Sequence, residues 1–481
     1  MTGGRVSLWS SLAGLVSAVT TLAVAEVIAV FVAPAAGPLF AVGSFVIDIV
    51  PPFVKSTVIA LFGTADKVVL LASLGLLVAI LAALAGILEF RKPPFGVVLL
   101  AAVGLIATVA VATRAEANLA WAIPTVVGVV VGIVILRLTI SRLHDWADAS
   151  RSTVAQVTSS HSRVAVNRRG FLTVLIGVAA ASTVIGLGAR AINAGTAAVN
   201  AVREALTLPK PAVAASAVPA GASLPVPGIS PIISSNADFY RIDTALQVPS
   251  IDASTWKLKI TGMVESEIEI GFDELLALPL IETYATLMCV SNEVGGNLIG
   301  NAKWLGYPIR ELLKKAKPTA GADMVLSSSI DGWTASSPLD VLLDEQRDAI
   351  FAVGMNGDPL PIEHGFPVRM VVPGLYGYVS ATKWVVALNV TRFADQTAYW
   401  TDRGWSAQGP IKTSSRIDVP RASTKVDAGT VAIAGVAWAQ HTGIDGVEVR
   451  IDGGQWQPAK LADAISKDTW RQWSYEWDAA T

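Results

Sequence analysis

Cysteine is nearly absent from this sequence of 481 residues, in which Cys289 is the only one. A single cysteine cannot form an intramolecular disulfide bond, so its side chain serves either packing or chemistry. Free cysteines in proteins are usually small buried hydrophobic residues. The residues around Cys289 must therefore decide between a core position and a ligand-binding position.

Charged residues and histidines are also scarce. Charged residues make up 15% of the chain, against 52% hydrophobic residues, and the formal net charge is −2. Because no basic stripe interleaved with aromatic residues occurs in the polar half, we expect no nucleic-acid partner. The four histidines are His144, His161, His364 and His441. No apolar segment contains two of them, so we expect no haem held by histidines of this chain.

The apolar residues are concentrated in the N-terminal part of the chain. Four stretches there approach the length of about 20 residues that a bilayer-spanning helix requires. The segment 34–63 is also apolar but is broken by Pro51 and Pro52, and we interpret it as an extracytoplasmic or interfacial excursion that leaves a further helix open. We predict a transmembrane bundle of about four helices over residues 1–140, with spans at residues 8–32, 68–88, 97–111 and 119–136.

Positively charged residues predict the orientation of these helices, because they favour the cytoplasmic side. Arg5 precedes the first span, Arg91 and Lys92 lie between the second and third, and several arginines follow the fourth. We therefore predict a multi-pass protein of the cell membrane, with a polar cytoplasmic linker over residues 141–166.

A further apolar segment, residues 167–192, begins with paired arginines. Arg168 and Arg169 are followed closely by Phe171 and Leu172 and then by a mildly apolar run. This pattern resembles a twin-arginine export signal, although paired arginines also flank ordinary membrane helices. Both interpretations place the chain beyond about residue 195 outside the cytoplasm.

The remaining sequence divides into three parts. Residues 193–234 are rich in proline and alanine, which predicts an extended, semi-rigid tether. Residues 235–420 contain short strands and helices without a βαβ rhythm, which indicates an α+β domain. Residues 421–481 show strand patterns with glycine turns, typical of a β-sandwich. We expect this sandwich to be incomplete, because the chain stops before the last strands that it would need.

Cys289 is followed by a run of small and amide residues that predicts a long loop rather than a core strand: Asn292, Gly295, Gly296, Asn297, Gly300 and Asn301. A thiolate on such a loop is a suitable ligand for a soft metal. This stretch resembles the molybdenum-binding loop of the sulfite oxidase family, the molybdopterin oxidoreductases. Three further segments match that family in order: residues 239–243, 363–369 and 380–384.

The resemblance implies a molybdenum–molybdopterin cofactor and a role for each matching residue. Cys289 would bind the metal, and Arg241 would face an anionic substrate as well as the cofactor. His364 and Arg369 would bind the phosphate that ends the pterin, for which a guanidinium and an imidazole are well suited. The other residues implied in cofactor binding are Phe239, Tyr240, Asp243, Asn292, Asp331, Ser380 and Lys383. The resemblance also implies that the C-terminal sandwich is an immunoglobulin-like dimerisation domain, and hence a possible homodimer.

Two positions depart from the family pattern. The second substrate-binding arginine of the family falls on Val294, and its active-site tyrosine falls, by a loose alignment, on Trp405. The loss of one cation and one hydroxyl weakens the recognition of an oxyanion. Sulfite is therefore doubtful as the substrate.

The sequence predicts a membrane-anchored molybdopterin oxidoreductase that transfers an oxygen atom outside the cytoplasm, on a small sulfur or other oxo-compound. Electrons would pass to a separate partner, a cytochrome or a quinone-linked protein. One alternative is a reductase of sulfoxides such as oxidised methionine, and another is a non-catalytic, membrane-tethered binding module. A transporter would be favoured instead if Glu26 and Asp48 proved essential and Cys289 did not.

Overall fold

A computed structural model describes residues 3–62, 65–115, 117–152, 160–193 and 196–479 of the chain. The contacts between Cα atoms divide it into two units. The first comprises Met1–Ala197 with Ala245–Gln247, and the second comprises Ala198–Thr244 with Val248–Thr481.

The first unit is helical. Its helices are α1 Gly3–Val32, α2 Pro38–Ile49, α3 Pro52–Phe62, α4 Asp66–Arg91, α5 Phe95–Ala112, α6 Ala122–Ser152 and α7 Ser160–Asn193. Within the described ranges, five of them are long and apolar enough to cross a membrane, namely α1, α4, α5, α6 and α7. All four predicted apolar spans and the apolar part of residues 167–192 are helical.

The structure assigns helices to two segments of the first unit that were interpreted as an excursion and a linker. The interval 34–63 contains α2 and α3, each too short to span a bilayer. The predicted linker 141–166 is largely helical, since α6 continues to Ser152 and α7 begins at Ser160; residues 153–159 lie outside the described part of the chain. The polar residues after 136 end the apolar run but not the helix, because many of them are compatible with helical structure. Arg168 and Arg169 consequently lie within a continuous helix.

α1 packs against α4, α6 and α7. Near one end of the bundle, Trp9, Trp146 and Phe171 bring their ring centroids to within 5.7–5.8 Å of one another. α1 and α4 approach closely: a Cβ added to Gly14 would lie 1.9 Å from the carbonyl oxygen of Ala82, and a Cβ added to Gly86 would lie 1.9 Å from that of Ser10. Small residues allow such close packing between apolar helices.

The second unit begins within the helix α8, Thr196–Ala205, which is followed by a segment that we call the strap, residues 206–234. The strap follows the body of the unit along its length: Ala212 N donates to Leu280 O at 2.7 Å, and Ser234 N donates to Asn301 O at 2.8 Å. The segment predicted to be a tether is therefore held in place, because its backbone groups find partners that a proline count cannot reveal.

Two five-stranded sheets and three helices follow, and they confirm the predicted α+β class. One sheet has the order β2-β1-β10-β5-β6, in which only β1 and β10 are parallel, and the other has the order β3-β4-β7-β8 with β9 paired to β7. The strands are β1 Lys257–Gly262, β2 Ile268–Gly271, β3 Ile281–Met288, β4 Ile299–Pro308, β5 Met324–Ser329, β6 Thr334–Pro338, β7 Ile350–Met355, β8 Asp358–Pro359, β9 Arg369–Val371 and β10 Val385–Thr391. The helices are α9 Phe272–Leu276, α10 Ile309–Ala316 and α11 Leu339–Leu343.

The C-terminal region contains an antiparallel sheet with the order β11-β12-β16-β15, beside the pair β13-β14. The bounds are β11 Ser414–Val419, β12 Gly429–Trp438, β13 Glu448–Val449, β14 Gln457–Pro458, β15 Lys460–Leu461 and β16 Arg471–Ala479. Residues 471–477, near the end of the chain, belong to β16, an inner strand of this sheet. Trp473, Tyr475 and Trp477 lie on one face of β16 and pack together in one apolar cluster, whereas polar residues alternate with them on the other face.

The close approach of α1 and α4 predicts the effect of a single methyl group. Gly86→Ala should destabilise the bundle by about 1–3 kcal/mol, the usual cost of overpacking, because the methyl would meet the backbone of α1. Gly75→Ala is the matched control on the same helix, since no atom lies within 4 Å of the added Cβ. It should be neutral or slightly stabilising. Thermal unfolding of the detergent-purified protein, followed by circular dichroism, measures both; equal melting temperatures would contradict the packing.

Candidate active site

Cys289 lies directly after the buried end of β3, at the start of a ten-residue loop, residues 289–298, which we call the cysteine loop. Cys289 N donates to Leu298 O at 2.9 Å, so the loop is closed at its neck. The thiol is free and half-buried, and loss of hydration raises its pKa above the ordinary value. The loop is shorter than predicted, because Gly300 and Asn301 belong to β4.

Asn292 acts within this loop. Its side-chain Oδ1 accepts a hydrogen bond from Leu298 N at 2.8 Å, and its backbone N–H donates to Cys289 O at 3.1 Å. Both groups are thus used to shape the turn. The structure places Asn292 beside Cys289, as expected, but gives its side chain a role in holding the loop.

Phe239 connects the loop's sheet to the second half of the site. Its ring lies 5.6 Å from Trp304 and 5.6 Å from His364, both edge to face, and stacks on Tyr240 at 5.3 Å. β4 approaches this ring at Gly300, where a Cβ would lie 2.8 Å from it. The pKa of Tyr240 is raised, first by burial and next by the nearby charge of Cys289, while Arg369 opposes the shift. Tyr240 therefore lies within electrostatic range of both Cys289 and Arg369.

His364 is only 2% exposed. Its Nε2 lies 3.1 Å from the carbonyl oxygen of Asn236, and because a carbonyl only accepts, Nε2 must carry the proton. Within the described chain, its Nδ1 is buried without a hydrogen-bond partner. Burial, followed by the charges of Arg369 and Lys383, lowers the pKa of His364 to about 3.

Arg369 is a buried cation, 4% exposed. Its Nη1 donates to His364 O at 3.2 Å, and its guanidinium lies 5.2 Å from the ring centroid of Trp304. Among the described residues, no carboxylate lies within ion-pairing distance of it. Burial lowers its pKa to about 10. A buried charge without a counter-ion is costly to a fold, so this position calls for an anion.

Asp243, near Arg369, forms ion pairs with both Lys383 and Arg241. Asp243 Oδ2 accepts from Lys383 Nζ at 2.9 Å and from Arg241 Nε at 3.0 Å. Lys383 also donates to Glu363 O at 3.0 Å, and burial lowers its pKa to about 8. Asp243 thus orients two predicted site cations, and the side chain of Arg241 remains 40% exposed.

The two other predicted residues, Ser380 and Asp331, hold turns. Ser380 is fully buried, and its hydroxyl donates to Tyr376 O at 3.0 Å. Asp331 is exposed and accepts from Trp333 N at 3.2 Å, across a turn in which Gly332 has φ +88°. Loss of hydration raises the pKa of Asp331, and the nearby charges of Asp243 and Lys383 act on it in opposite directions. The Ser380 hydroxyl and the Asp331 carboxylate thus both bind backbone groups of their own turns.

The sequence did not reveal several groups at the site. The Asn236 carbonyl is a backbone group, which side-chain patterns do not mark. Trp304 faces both Phe239 and Arg369, and its place at the end of the conspicuous Cys289 stretch could have indicated it. Tyr378 packs against Trp405 at 5.5 Å, and the adjacent Gly377 comes within 3.8 Å of Met288 O, measured from an added Cβ. These aromatics therefore stand near the start of the cysteine loop.

The residues present fit a phosphate-terminated, metal-bearing cofactor. The cations Arg241, Lys383 and Arg369 outnumber the carboxylates Asp243 and Asp331, and His364 offers a buried, unpartnered nitrogen. An anion placed among them would satisfy the donors and offset the buried charge.

Replacing Arg369 should separate stability from anion binding. Arg369→Met should leave the anion-free protein equally stable or more stable, by up to about 4 kcal/mol, because an uncompensated buried charge is removed. It should also abolish stabilisation by the bound anion. Arg310→Met is the control: Arg310 contacts Glu311 and Asp348, so its loss should destabilise slightly. Melting temperatures of both variants, measured with and without the cofactor, test this prediction. A large loss of stability of anion-free Arg369→Met would contradict it.

Acid should destabilise the second unit through His364. Its folded pKa of about 3 lies below the ordinary 6.5, so below pH 6.5 the unfolded chain takes up a proton that the folded chain refuses. Stability is full above pH 6.5 and falls as the pH drops toward 3. His364→Gln should therefore lose less stability than wild type between pH 7 and 5, and the same amount between pH 8 and 7. Denaturant titrations of the anion-free protein test this; parallel losses at all pH values would refute it.

Residues 245–400 match the oxidoreductase molybdopterin binding domain. Mitochondrial sulfite oxidase of Homo sapiens is 29% identical over 274 residues, which cover 47% of this chain and 50% of that protein. The uncharacterized oxidoreductase YuiH of Bacillus subtilis (strain 168) is 32% identical over 158 residues, which cover 33% of this chain and 76% of that protein. The chain thus spans about half the length of the sulfite oxidase that it matches.

The crystal structure of the sulfane dehydrogenase SoxCD from Paracoccus pantotrophus aligns with a TM-score of 0.47 and 23% identity, covering 52% of this chain and 70% of that chain. The match to YuiH, at 32% identity over 76% of that protein, shows the family. The chain belongs to the sulfite oxidase-like family of molybdopterin-binding oxidoreductases, whose cofactor is molybdenum–molybdopterin.

Proposed function

We propose that this protein is an oxidoreductase that transfers an oxygen atom between water and a sulfur or other oxo-compound at a molybdenum centre. The observation that carries the proposal is the group of cations around Arg369, which is buried and contains more cations than carboxylates. Tyr240 lies near both Arg369 and Cys289, because the charges of both act on its pKa.

Each residue has a distinct task in this proposal. Cys289 would hold the metal, while Arg369, Lys383 and His364 would hold the terminal phosphate. The bound cofactor supplies the two-electron oxygen-transfer chemistry. Because His364 already donates through Nε2, its Nδ1 would need a second proton to donate to the phosphate, and a nearby anion favours that charged form.

Two side chains are placed to handle the substrate. Arg241 is partly exposed and held by Asp243, so its remaining donors can face an incoming polar oxygen. Tyr240 keeps its proton at ordinary pH, because burial raises the pKa of its hydroxyl. A neutral hydroxyl donor near Cys289 suits a substrate oxygen that carries partial rather than full negative charge.

The surroundings of the site favour a weakly charged substrate over sulfite. The position of the family's second arginine is occupied by Val294, which is fully exposed at 103%. Trp405 stands among the rings of Tyr378 and Trp400, at 5.5 and 5.6 Å. A sulfoxide, with an apolar body and a single polar oxygen, matches this combination, and we therefore propose sulfoxide reduction as the second candidate activity.

We further propose that α1, α4, α5, α6 and α7 anchor the protein in the cell membrane and that the catalytic unit lies outside the cytoplasm. The placement of Arg5, Arg91 and Lys92 supports this orientation, and Arg168–Arg169 fit a twin-arginine export signal at the start of the last span. Electrons would come from or go to a separate cytochrome or quinone-linked protein. The C-terminal sheets would form an immunoglobulin-like domain that could support a homodimer.

The activity is tested on the cofactor-loaded full chain with two reactions. One is sulfite oxidation with a one-electron acceptor, and the other is reduction of methionine sulfoxide with a reduced viologen. The proposal predicts turnover of the sulfoxide, and a KM for sulfite well above that for the sulfoxide. Turnover of neither class by protein that contains molybdenum would reject it.

Restoring the missing cation should change the specificity. Val294→Arg is expected to lower the KM for sulfite about tenfold, the value of one charged hydrogen bond, with little effect on the sulfoxide. Glu293→Gln is the control, because it raises the loop's net charge equally at the neighbouring position. Steady-state kinetics compare the two variants. An equal effect of both would show that general charge, not position 294, governs sulfite binding.

A further inference from the structure

The cysteine loop is supported from outside by the C-terminal region. Met288 and Ile299, the strand residues at its two ends, are buried against Val436, Trp438 and Trp470. We call these C-terminal side chains, Val436, Trp438 and Trp470, the apolar floor; both ends of the loop pack against it.

Hydrogen bonds reinforce this floor at the outer edge of β3. Thr286 N donates to Asp468 O at 3.0 Å, and Gln440 Nε2 donates to Thr286 O at 3.0 Å. The Thr286 hydroxyl in turn accepts from Trp470 N at 2.8 Å. An edge strand that would otherwise expose its backbone is thereby covered by the C-terminal region.

The tip of the loop is held by one side chain. Arg416, on β11, donates through Nη1 to Gly296 O at 2.6 Å. Among the residues with described positions, no other side chain from outside the loop hydrogen-bonds to residues 290–297. The loop's other bonds at the tip are internal, such as Gly296 N to Glu293 O at 2.8 Å.

Arg416 is itself fixed in a buried network. Its Nε donates to Asp418 Oδ1 at 2.7 Å and its Nη2 to Ser230 Oγ at 2.7 Å, while Ser230 N donates to Asp418 Oδ2 at 2.9 Å. The side chains of Arg416 and Asp418 are only 9% and 7% exposed. The planar fork of an arginine can bind three partners in fixed directions, which a lysine cannot do. The guanidinium therefore joins the C-terminal sheet, the strap and the cysteine loop at one point.

We propose that Arg416 is a positioning residue for Cys289: it fixes the tip of the cysteine loop and, with the apolar floor, makes the C-terminal region a structural part of the metal site. This inference rests on the proposed role of Cys289 as the metal ligand. It assigns to the C-terminal region a task that is independent of any dimer contact.

Hydrogen exchange on the purified full chain tests the proposal. In Arg416→Gln and Arg416→Lys, exchange at Asn292, Gly296 and Leu298 should accelerate about tenfold or more, the effect of losing a charged hydrogen bond. Exchange in the paired strands β12 and β16 should stay unchanged. Arg421→Gln, an exposed arginine of the same region, should alter neither. Unchanged exchange in the loop of both Arg416 variants would overturn the proposal.

A second variant keeps the test decisive if the buried Asp418, left alone, prevents folding. The double change Arg416→Gln with Asp418→Asn removes both charges together and should show the same selective acceleration in the loop. If its exchange instead rises uniformly over β11, β12 and β16, Arg416 only stabilises the sheet and the proposal fails.

A spectroscopic measurement distinguishes positioning from stability. In cofactor-loaded protein, the visible absorption that arises from the bond between the cysteine sulfur and molybdenum should shift in Arg416→Lys and not in Arg421→Gln. An unshifted band with a lowered melting temperature would contradict positioning. The exchange result does not depend on the metal. If the protein, made in a host that synthesises the cofactor, contains no molybdenum but its loop exchange still depends on Arg416, the positioning of the loop by Arg416 is supported and the proposed function is rejected.

Discussion

The site depends on the buried charge of Arg369, which has no carboxylate counter-ion among the residues that the structure describes. Arg369 lies between the Trp304 ring and the His364 carbonyl, and the carboxylate of Asp243 is already shared by Lys383 and Arg241. A fold tolerates such a cation at a cost of several kcal/mol, unless a ligand offsets it. The depressed pKa of His364 has the same origin, since burial and the same cations disfavour its charged form. An anion bound at this position would therefore offset the free-energy cost of burying the Arg369 charge.

The surroundings of Cys289 depend on a different kind of support. Cys289 begins a loop that Asn292 closes; the ends of this loop pack against C-terminal aromatic residues, and Arg416 binds its tip. The cation cluster is built within the α+β domain, whereas the cysteine loop is held by segments that are distant in sequence. Burial raises the pKa of Tyr240, and the charges of Cys289 and Arg369 act on it in opposite directions, so Tyr240 lies near both.

The sequence predicted the elements whose signals are local. The five long helices follow from runs of apolar residues, and the α+β class of residues 235–420 follows from short strand and helix patterns without a βαβ rhythm. The cluster of His364, Arg369, Lys383 and Arg241 followed from ordered motifs. The contacts of the strap are non-local: residues 193–234 were predicted to form an extended, semi-rigid tether, and the backbone partners Leu280 and Asn301 are distant from them in sequence. The strand β16 was not predicted, although Trp473, Tyr475 and Trp477 alternate with polar residues along it. The side chains of Asn292 and Ser380 are occupied by backbone partners that no spacing could reveal.

The most direct test is the molybdenum and pterin content of the full chain, made in a host that synthesises the cofactor, beside Cys289→Ser. The account predicts about one molybdenum and one pterin per wild-type chain, as a single buried site requires. The variant should retain pterin through Arg369 and Lys383 while its metal becomes easily removed by a chelator. Wild-type protein with neither metal nor pterin would contradict the account.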